Sequence, residues 1–180
     1  MARIPTISTL LSKANPQAQP AFAKYPEKAV CGDYPTLSEL DKTFGPGSAQ
    51  QWLTVQITNL SLCVGAKNLT VCQLDDVTLN IIAEYPWMKI TEIMLFLHRF
   101  KMGRYGEFYG HVDTLVVTKA LLAFIKERNV ILDQEEQRQR ELQRQRELAE
   151  NPPTTWEEYC RRNGIQKENP LTSVINQMKQ

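Results

Sequence analysis

Hydrophobic side chains recur most densely between Leu69 and Asn129, where three successive patterns have helical spacing. The first pattern begins after Thr70, which precedes Gln73 by three residues, the spacing of a capping box. It ends at Pro86, which cannot continue a helix because it lacks a backbone N–H. The apolar positions of this pattern share one helical face: Val71, Leu74, Val77, Ile81 and Tyr85.

The second pattern runs from Ile90 to Met102 and is apolar on more than one face, so it predicts a helix enclosed by neighbours. Gly103 follows it, in the place of a left-handed residue that ends a helix. The third pattern runs from Thr114 to Arg128, with Asp113 as its predicted N-cap. Short connections between the three predict an all-α fold, a compact helical bundle.

The segments ahead of this block extend the predicted bundle toward the N-terminus. Thr36 and Glu39 form a second capping-box pattern for a short helix, and Ser48 is placed to cap a longer one. The bundle domain is therefore predicted over residues 36–132. Residues 1–35 carry prolines and lack sustained periodicity, so we interpret them as an extended arm.

Residues 133–150 form a charged segment in which the hexapeptide Gln-Arg-Gln-Arg-Glu-Leu is immediately repeated. Strong helix formers dominate it, but a period of six does not match a heptad seam. We interpret the segment as a solvated continuation of the preceding helix. A dimer seam and a basic nucleic-acid arm are the alternatives, and the interspersed glutamates count against the arm.

Residues 151–180 are predicted to form a short helical tail, because prolines interrupt the charged helix and Thr155 and Glu158 then make another capping box. A detached amphipathic tail can offer a hydrophobic surface to a partner protein. The predicted partner-binding side chains are Trp156, Tyr159, Leu171 and Ile175. Folding of Trp156 and Tyr159 back onto the main core is the alternative.

Composition narrows the class of protein. The chain has 180 residues, 42% hydrophobic and 23% charged, with a formal net charge of +1, as in soluble globular proteins. No long apolar run could span a bilayer and the first residues do not resemble an export signal, so a cytoplasmic location is predicted. The four cysteines and two histidines do not match a zinc pattern, and we predict neither a metal nor another cofactor.

Candidate chemistry points to binding rather than catalysis. No nucleophile, base and orienting group fall into a recognisable set, and Gly103, Gly106 and Gly110 lack the context of a phosphate-binding loop, so we expect no catalytic residues and no enzyme. Cations that alternate with aromatic rings are typical of single-strand binding. The predicted nucleic-acid-binding residues are Lys89, Arg99, Lys101, Arg104, Tyr105, Phe108 and Tyr109. Alternatively, the rings fill the gap between helices and the cations are solvated.

The run from Ile90 to Asp113 resembles an uncharacterised family of small proteins found in phages and conjugative elements of gut bacteria. The resemblance covers residues from Leu53 to Asn129, and that family has no established activity. In layout, the segment from Thr70 to Arg128 is also similar to small phage helicase-loader proteins, which bind a replicative helicase through their C-terminal portion.

These resemblances imply a non-enzymatic accessory protein of a mobile element in DNA replication or transfer. It would be helicase-loader-like or a DNA-binding adaptor, with a replicative helicase or another replication protein as partner and DNA as a possible second ligand. The alternative is a structural or host-interaction protein of a phage that makes no contact with nucleic acid.

Overall fold

The computed structural model describes residues 6–64, 69–106, 114–150, 152 and 154–164, and every regular element among them is helical. The predicted all-α class is therefore confirmed. The elements are α1 Ile7–Lys13, a 3₁₀ turn Pro16–Ala18, α2 Gln19–Lys24, α3 Pro26–Cys31, α4 Leu37–Phe44, α5 Ser48–Cys63, α6 Val71–Glu84, α7 Ile90–Lys101, α8 Thr114–Glu150 and α9 Trp156–Arg162.

The chain divides into two compact units, Met1–Glu136 and Gln137–Gln180. In the first unit, α7 packs against α2, α3 and α5, and α5 also packs against α1, α4 and α6. The residues Ile90 to Leu97 are all buried, which confirms that α7 is enclosed by neighbours. The largest fully buried side chains of the unit are Trp52 of α5, Phe96 of α7 and Phe124 of α8.

The prediction of an extended arm over residues 1–35 was wrong for residues 7–31, which form α1, the 3₁₀ turn, α2 and α3. Its prolines do not prevent helix formation, because Pro16, Pro20 and Pro26 each lie in the first turn of an element. A proline there removes only an N–H that has no partner within the helix. The prolines therefore mark helix starts.

Polar contacts attach these N-terminal helices to the core. The carbonyl oxygen of Ala14 accepts hydrogen bonds from Trp52 Nε1 and Gln56 Nε2, both at 2.8 Å. The Thr91 hydroxyl donates to the Ala29 carbonyl at 2.7 Å. Because these groups are buried, each bond satisfies a polar atom that would otherwise be costly to bury.

Helix starts follow the local signals in most places. The predicted capping boxes are formed at Thr36 with Glu39, at Thr70 with Gln73 and at Thr155 with Glu158. The N-cap role of Ser48 was wrong, because Gly47 occupies that position with a φ of +81°. The Asp41 side chain instead accepts a hydrogen bond from the free Ala49 amide at 2.9 Å, as an N-cap side chain would.

The segments before α4 and α7 lie side by side, joined by one antiparallel bridge between Thr36 and Lys89. The Leu37 amide donates to the Met88 carbonyl at 2.9 Å, and the Ile90 amide donates to the Pro35 carbonyl at 3.0 Å. These bonds set the starting points of the two helices relative to each other.

The third predicted helix does not end at Arg128, because α8 runs without a break to Glu150. Residues 133–150 thus continue the preceding helix, and residues 137–150 are all exposed. The predicted N-cap Asp113 lies outside the described residues.

Candidate functional site

Two arginines and one tyrosine of the predicted nucleic-acid surface converge on a single carboxylate, Glu127 of α8. A guanidinium nitrogen of Arg99 lies 2.8 Å from Glu127 Oε2, and Arg104 Nε lies 3.0 Å from Oε1. The Tyr105 hydroxyl donates to Oε2 at 3.3 Å. We call Arg99, Arg104, Tyr105 and Glu127 the Glu127 cluster.

A turn after α7 assembles this cluster. The Arg104 amide donates to the Arg99 carbonyl at 3.1 Å and the Gly103 amide donates to the Phe100 carbonyl at 3.0 Å. These two bonds are those of a Schellman motif. The motif needs a left-handed residue, which Gly103 supplies with a φ of +73°, as predicted. The turn reverses the chain, so that Arg104 and Tyr105 reach Glu127.

Aromatic packing holds the cluster against the core. The ring centroid of Tyr105 lies 5.8 Å from that of Phe96 and 6.4 Å from that of Phe100. Phe96 in turn lies 5.6 Å from Phe124 of α8. Burial and the adjacent Glu127 raise the pKa of Tyr105 to about 12, so its hydroxyl stays protonated at neutral pH and can donate.

The two arginines of the cluster differ in their access to solvent. The Arg99 side chain is only 13% exposed, whereas that of Arg104 is 54% exposed. Arg99 therefore acts mainly as an internal link between α7 and α8. Arg104 is the cation of the cluster that a phosphate could approach, in competition with Glu127.

The lysines predicted to join this surface bind other partners. Lys89 Nζ donates to the carbonyls of Val30 at 2.9 Å and Gly32 at 2.8 Å. These carbonyls lie at the C-terminal end of α3, where the helix dipole favours a cation. Lys89 thus attaches α3 to the start of α7.

Lys101 is similarly committed to internal contacts. Its Nζ donates to Gln19 Oε1 at 2.8 Å and to Asn59 Oδ1, and burial lowers the pKa of Lys101. The predicted residues Phe108 and Tyr109 lie outside the described residues. The structure therefore brings Arg99, Arg104 and Tyr105 together and assigns Lys89 and Lys101 to helix packing.

Two acidic residues that pair with arginines were not among the predicted site residues: Glu127, which pairs with Arg99 and Arg104, and Glu92, which pairs with Arg128. Glu92 is fully buried, and its carboxylate lies 2.5 Å from Arg128 Nε. A single acid within the very apolar α7 was the available signal, since a buried carboxylate requires a charged or hydrogen-bonding partner.

The second unit presents an exposed aromatic pair. Trp156 is 67% exposed and Tyr159 is 48% exposed. Their rings are stacked, with centroids 5.6 Å apart and planes at 19°. The neighbouring Cys160 is buried. The other predicted partner-binding residues, Leu171 and Ile175, lie outside the described part of the chain.

Neither a metal centre nor a membrane span emerges from the described residues. Among them, no group of three or more His, Cys, Asp or Glu side chains could hold a metal ion. Within the same residues, no helix combines the length and apolar character needed to cross a membrane. The absence of catalytic residues and the cytoplasmic location stay predictions.

The fold and these sites define an all-α protein with internally paired cations and an exposed aromatic pair. The chain belongs to the family of unknown function DUF6633, whose model matches residues 68–170. The match includes the Glu127 cluster together with Trp156 and Tyr159, and it begins after α5. No curated protein and no solved structure matches the chain. The predicted membership of an uncharacterised family agrees with this match, whereas the origin in phages and the similarity to helicase loaders stay predictions.

Proposed function

We propose that this protein is a non-enzymatic accessory protein that binds a protein partner through Trp156 and Tyr159. The exposed, stacked pair is the observation that carries the proposal. Tryptophan and tyrosine are enriched among the residues that contribute most to binding energy at protein interfaces. A pair that is already stacked loses less side-chain freedom on binding than two separate rings would.

The surroundings of the pair in the second unit suit such an interface. The capping box of α9 satisfies amides at the start of the helix, because Glu158 N donates to the Thr155 hydroxyl at 3.3 Å. Residues 137–150 are exposed and carry arginine, glutamate and glutamine. Polar and charged residues of this kind are typical of the rim of a protein interface, and aromatic residues are typical of its core.

The biological setting that we propose is DNA replication or transfer in a mobile element, with a replicative helicase as the partner. This setting rests on the resemblance of the segment from Thr70 to Arg128 to phage helicase loaders, noted from the sequence pattern, and on the position of the aromatic pair after that segment. Helicase loaders contact their partner through the C-terminal portion, and Trp156 and Tyr159 lie there in this chain.

DNA is a second proposed ligand, with Arg104 as its main contact. The alternative function is a structural or host-interaction protein without nucleic-acid contact. The internal pairing of Arg99, Lys89 and Lys101 favours this alternative, because these cations already have partners. Both functions use the aromatic pair.

Binding to a purified bacterial replicative helicase, measured by isothermal titration calorimetry, tests the partner. We expect the double variant Trp156→Ala, Tyr159→Ala to weaken binding at least ~30-fold, since a central aromatic contact contributes about 2 kcal/mol or more. The control variant Val71→Ala changes an exposed apolar residue of α6. It should bind like the original protein. An equal loss of helicase affinity in both variants would refute the role of the aromatic pair in binding. No binding by the unmodified protein would refute the helicase as the partner.

The proposed DNA contact has a separate test. Fluorescence anisotropy of labelled single- and double-stranded oligonucleotides is measured at low and physiological salt. Binding that weakens with salt and falls in Arg104→Ala supports DNA as a ligand, since phosphate contacts release counterions. No binding at low salt would favour the alternative function.

A further inference from the structure

The first unit contains a cavity of about 320 Å³ between α1, α2, α4 and α7. Its volume falls at the lower end of the range found for small-molecule sites. Within the described ranges, six apolar residues line it: Leu10, Ala14, Phe22, Phe44, Ile90 and Met94. Those from α1 and α7 are buried, and the two phenylalanines are half-buried. The buried Thr91 also lines the cavity, but its hydroxyl donates to the Ala29 carbonyl at 2.7 Å, so the floor is mainly apolar.

The rim of the same cavity is polar. Thr9, Lys13 and Tyr34 line it and are exposed. Thr9 and Lys13 are four residues apart on α1 and therefore share one helical face. The ring of Tyr34 meets that of Phe22 edge to face, with centroids 5.8 Å apart. The aromatic pair thus joins the polar rim to the apolar floor.

Lys13 has the properties of a cation available to a ligand. It is exposed at the cavity edge, and no hydrogen bond or ion pair joins it to another described residue. Lys89 and Lys101 of the same unit, in contrast, each donate to two acceptors. Among the residues that the structure describes, Lys13 is also the one cation that lines this cavity. A single cation above an apolar floor complements a ligand with one negative charge and one apolar chain.

We propose that this cavity binds a medium-chain carboxylic acid, with its chain on the apolar floor and its carboxylate beside Lys13. At ~30 Å³ for each carbon, which is close to the volume of a water molecule in the liquid, the cavity holds a chain of about ten carbons. The rim hydroxyls of Thr9 and Tyr34 are additional donors for the carboxylate. The site is independent of the proposed partner surface, which lies in the other unit.

Decanoate is the probe, titrated into the full chain by isothermal titration calorimetry below the concentration at which it aggregates. We expect one molecule to bind per chain. Each methylene removed should weaken binding about fourfold, so hexanoate should bind more than a hundredfold more weakly. Decanol, which has the same chain and no charge, should bind more weakly than decanoate.

Lys13→Gln tests the role of the rim cation, and Lys42→Gln is the matched control, because Lys42 is exposed on α4 and does not line the cavity. Both are surface changes that should preserve the fold. Lys13→Gln should weaken decanoate about fivefold and leave decanol unchanged, whereas Lys42→Gln should affect neither ligand.

A methyl NMR spectrum locates the bound chain, since the Met94 methyl resonance, assigned with Met94→Leu, should shift on titration with decanoate. Three outcomes would overturn the proposal: no binding, several molecules bound per chain, or equal effects of the two lysine variants.

Discussion

Replacement of Arg128 by methionine is expected to destabilise the first unit strongly. Arg128 Nε lies 2.5 Å from Glu92 Oε1, and Glu92 is fully buried while the Arg128 side chain is 16% exposed. The other carboxylate oxygen accepts the Lys89 amide at 2.9 Å. The guanidinium also lies over the ring of Trp87, with 4.7 Å from its carbon to the ring centroid. Arg128 thus joins α8 to the start of α7.

The expected cost follows from what the substitution leaves behind. In Arg128→Met, the Glu92 carboxylate stays buried and keeps, among the described residues, only the hydrogen bond from the Lys89 amide. Breaking a buried ion pair in this way costs about 3–5 kcal/mol of unfolding free energy. The double variant Glu92→Gln, Arg128→Met should be more stable than Arg128→Met alone, because a neutral amide is less costly to bury than an unpaired carboxylate.

Urea denaturation followed by circular dichroism at pH 7 measures these free energies. Arg104→Met is the matched control, since its ion pair with Glu127 is half-exposed and should contribute no more than about 1 kcal/mol. A cost below about 1 kcal/mol for Arg128→Met would refute the reasoning. So would strict additivity of the two changes in the double variant, because the argument requires Glu92 and Arg128 to be coupled.

Three further perturbations test the core, the turn and the pH dependence. Phe96→Ala removes the ring that contacts Tyr105 and Phe124 and should cost about 3–5 kcal/mol in urea denaturation; a loss under about 1 kcal/mol would contradict its central position. Gly103→Ala forces a side chain into a φ of +73° and should cost about 1–2 kcal/mol, whereas an unchanged midpoint would mean that the turn rearranges freely. In the folded state the pKa of His98 lies below its ordinary value of 6.5, mainly because the imidazole is partly buried and also because two cations lie nearby. The unfolded chain therefore takes up the proton first as the pH falls. The contribution of neutral His98 to the free energy of unfolding should be retained above pH 6.5 and decline below it. In thermal melts between pH 7 and 5, His98→Gln should therefore make the melting temperature less dependent on pH. An unchanged dependence would refute this role of His98.

Much of the helical framework could be predicted because its signals are local. The caps at Thr36, Thr70 and Thr155 need only a hydroxyl and an acid or amide three residues apart. Gly103 ends α7 because its left-handed conformation is accessible without a side chain. Residues 7–31 were missed because short helices have weak periodicity, and their stability comes from packing against α5 and α7.

The candidate site was predicted only in part, because only its contacts between residues close in sequence follow from a local pattern. Arg99, Arg104 and Tyr105 are close in sequence, and a local turn brings them together. Their shared acceptor Glu127 lies on the next helix, and periodicity does not reveal which acid will face which cation. The exposure of Trp156 and Tyr159 was likewise left open by the pattern, which allowed both a free surface and packing on the core.

The sequence by itself determined the all-α class, most helix starts and the continuation of α8 through residues 133–150, since these depend on hydrogen bonds and side-chain spacing within a few residues. Only the tertiary structure decided which cations are available. It directs Lys89 to the end of α3, Lys101 to Gln19 and Asn59, and Arg99 to Glu127. The sequence shows where the cations are, but their exposure depends on acceptors that are distant in sequence and become neighbours only in the folded protein.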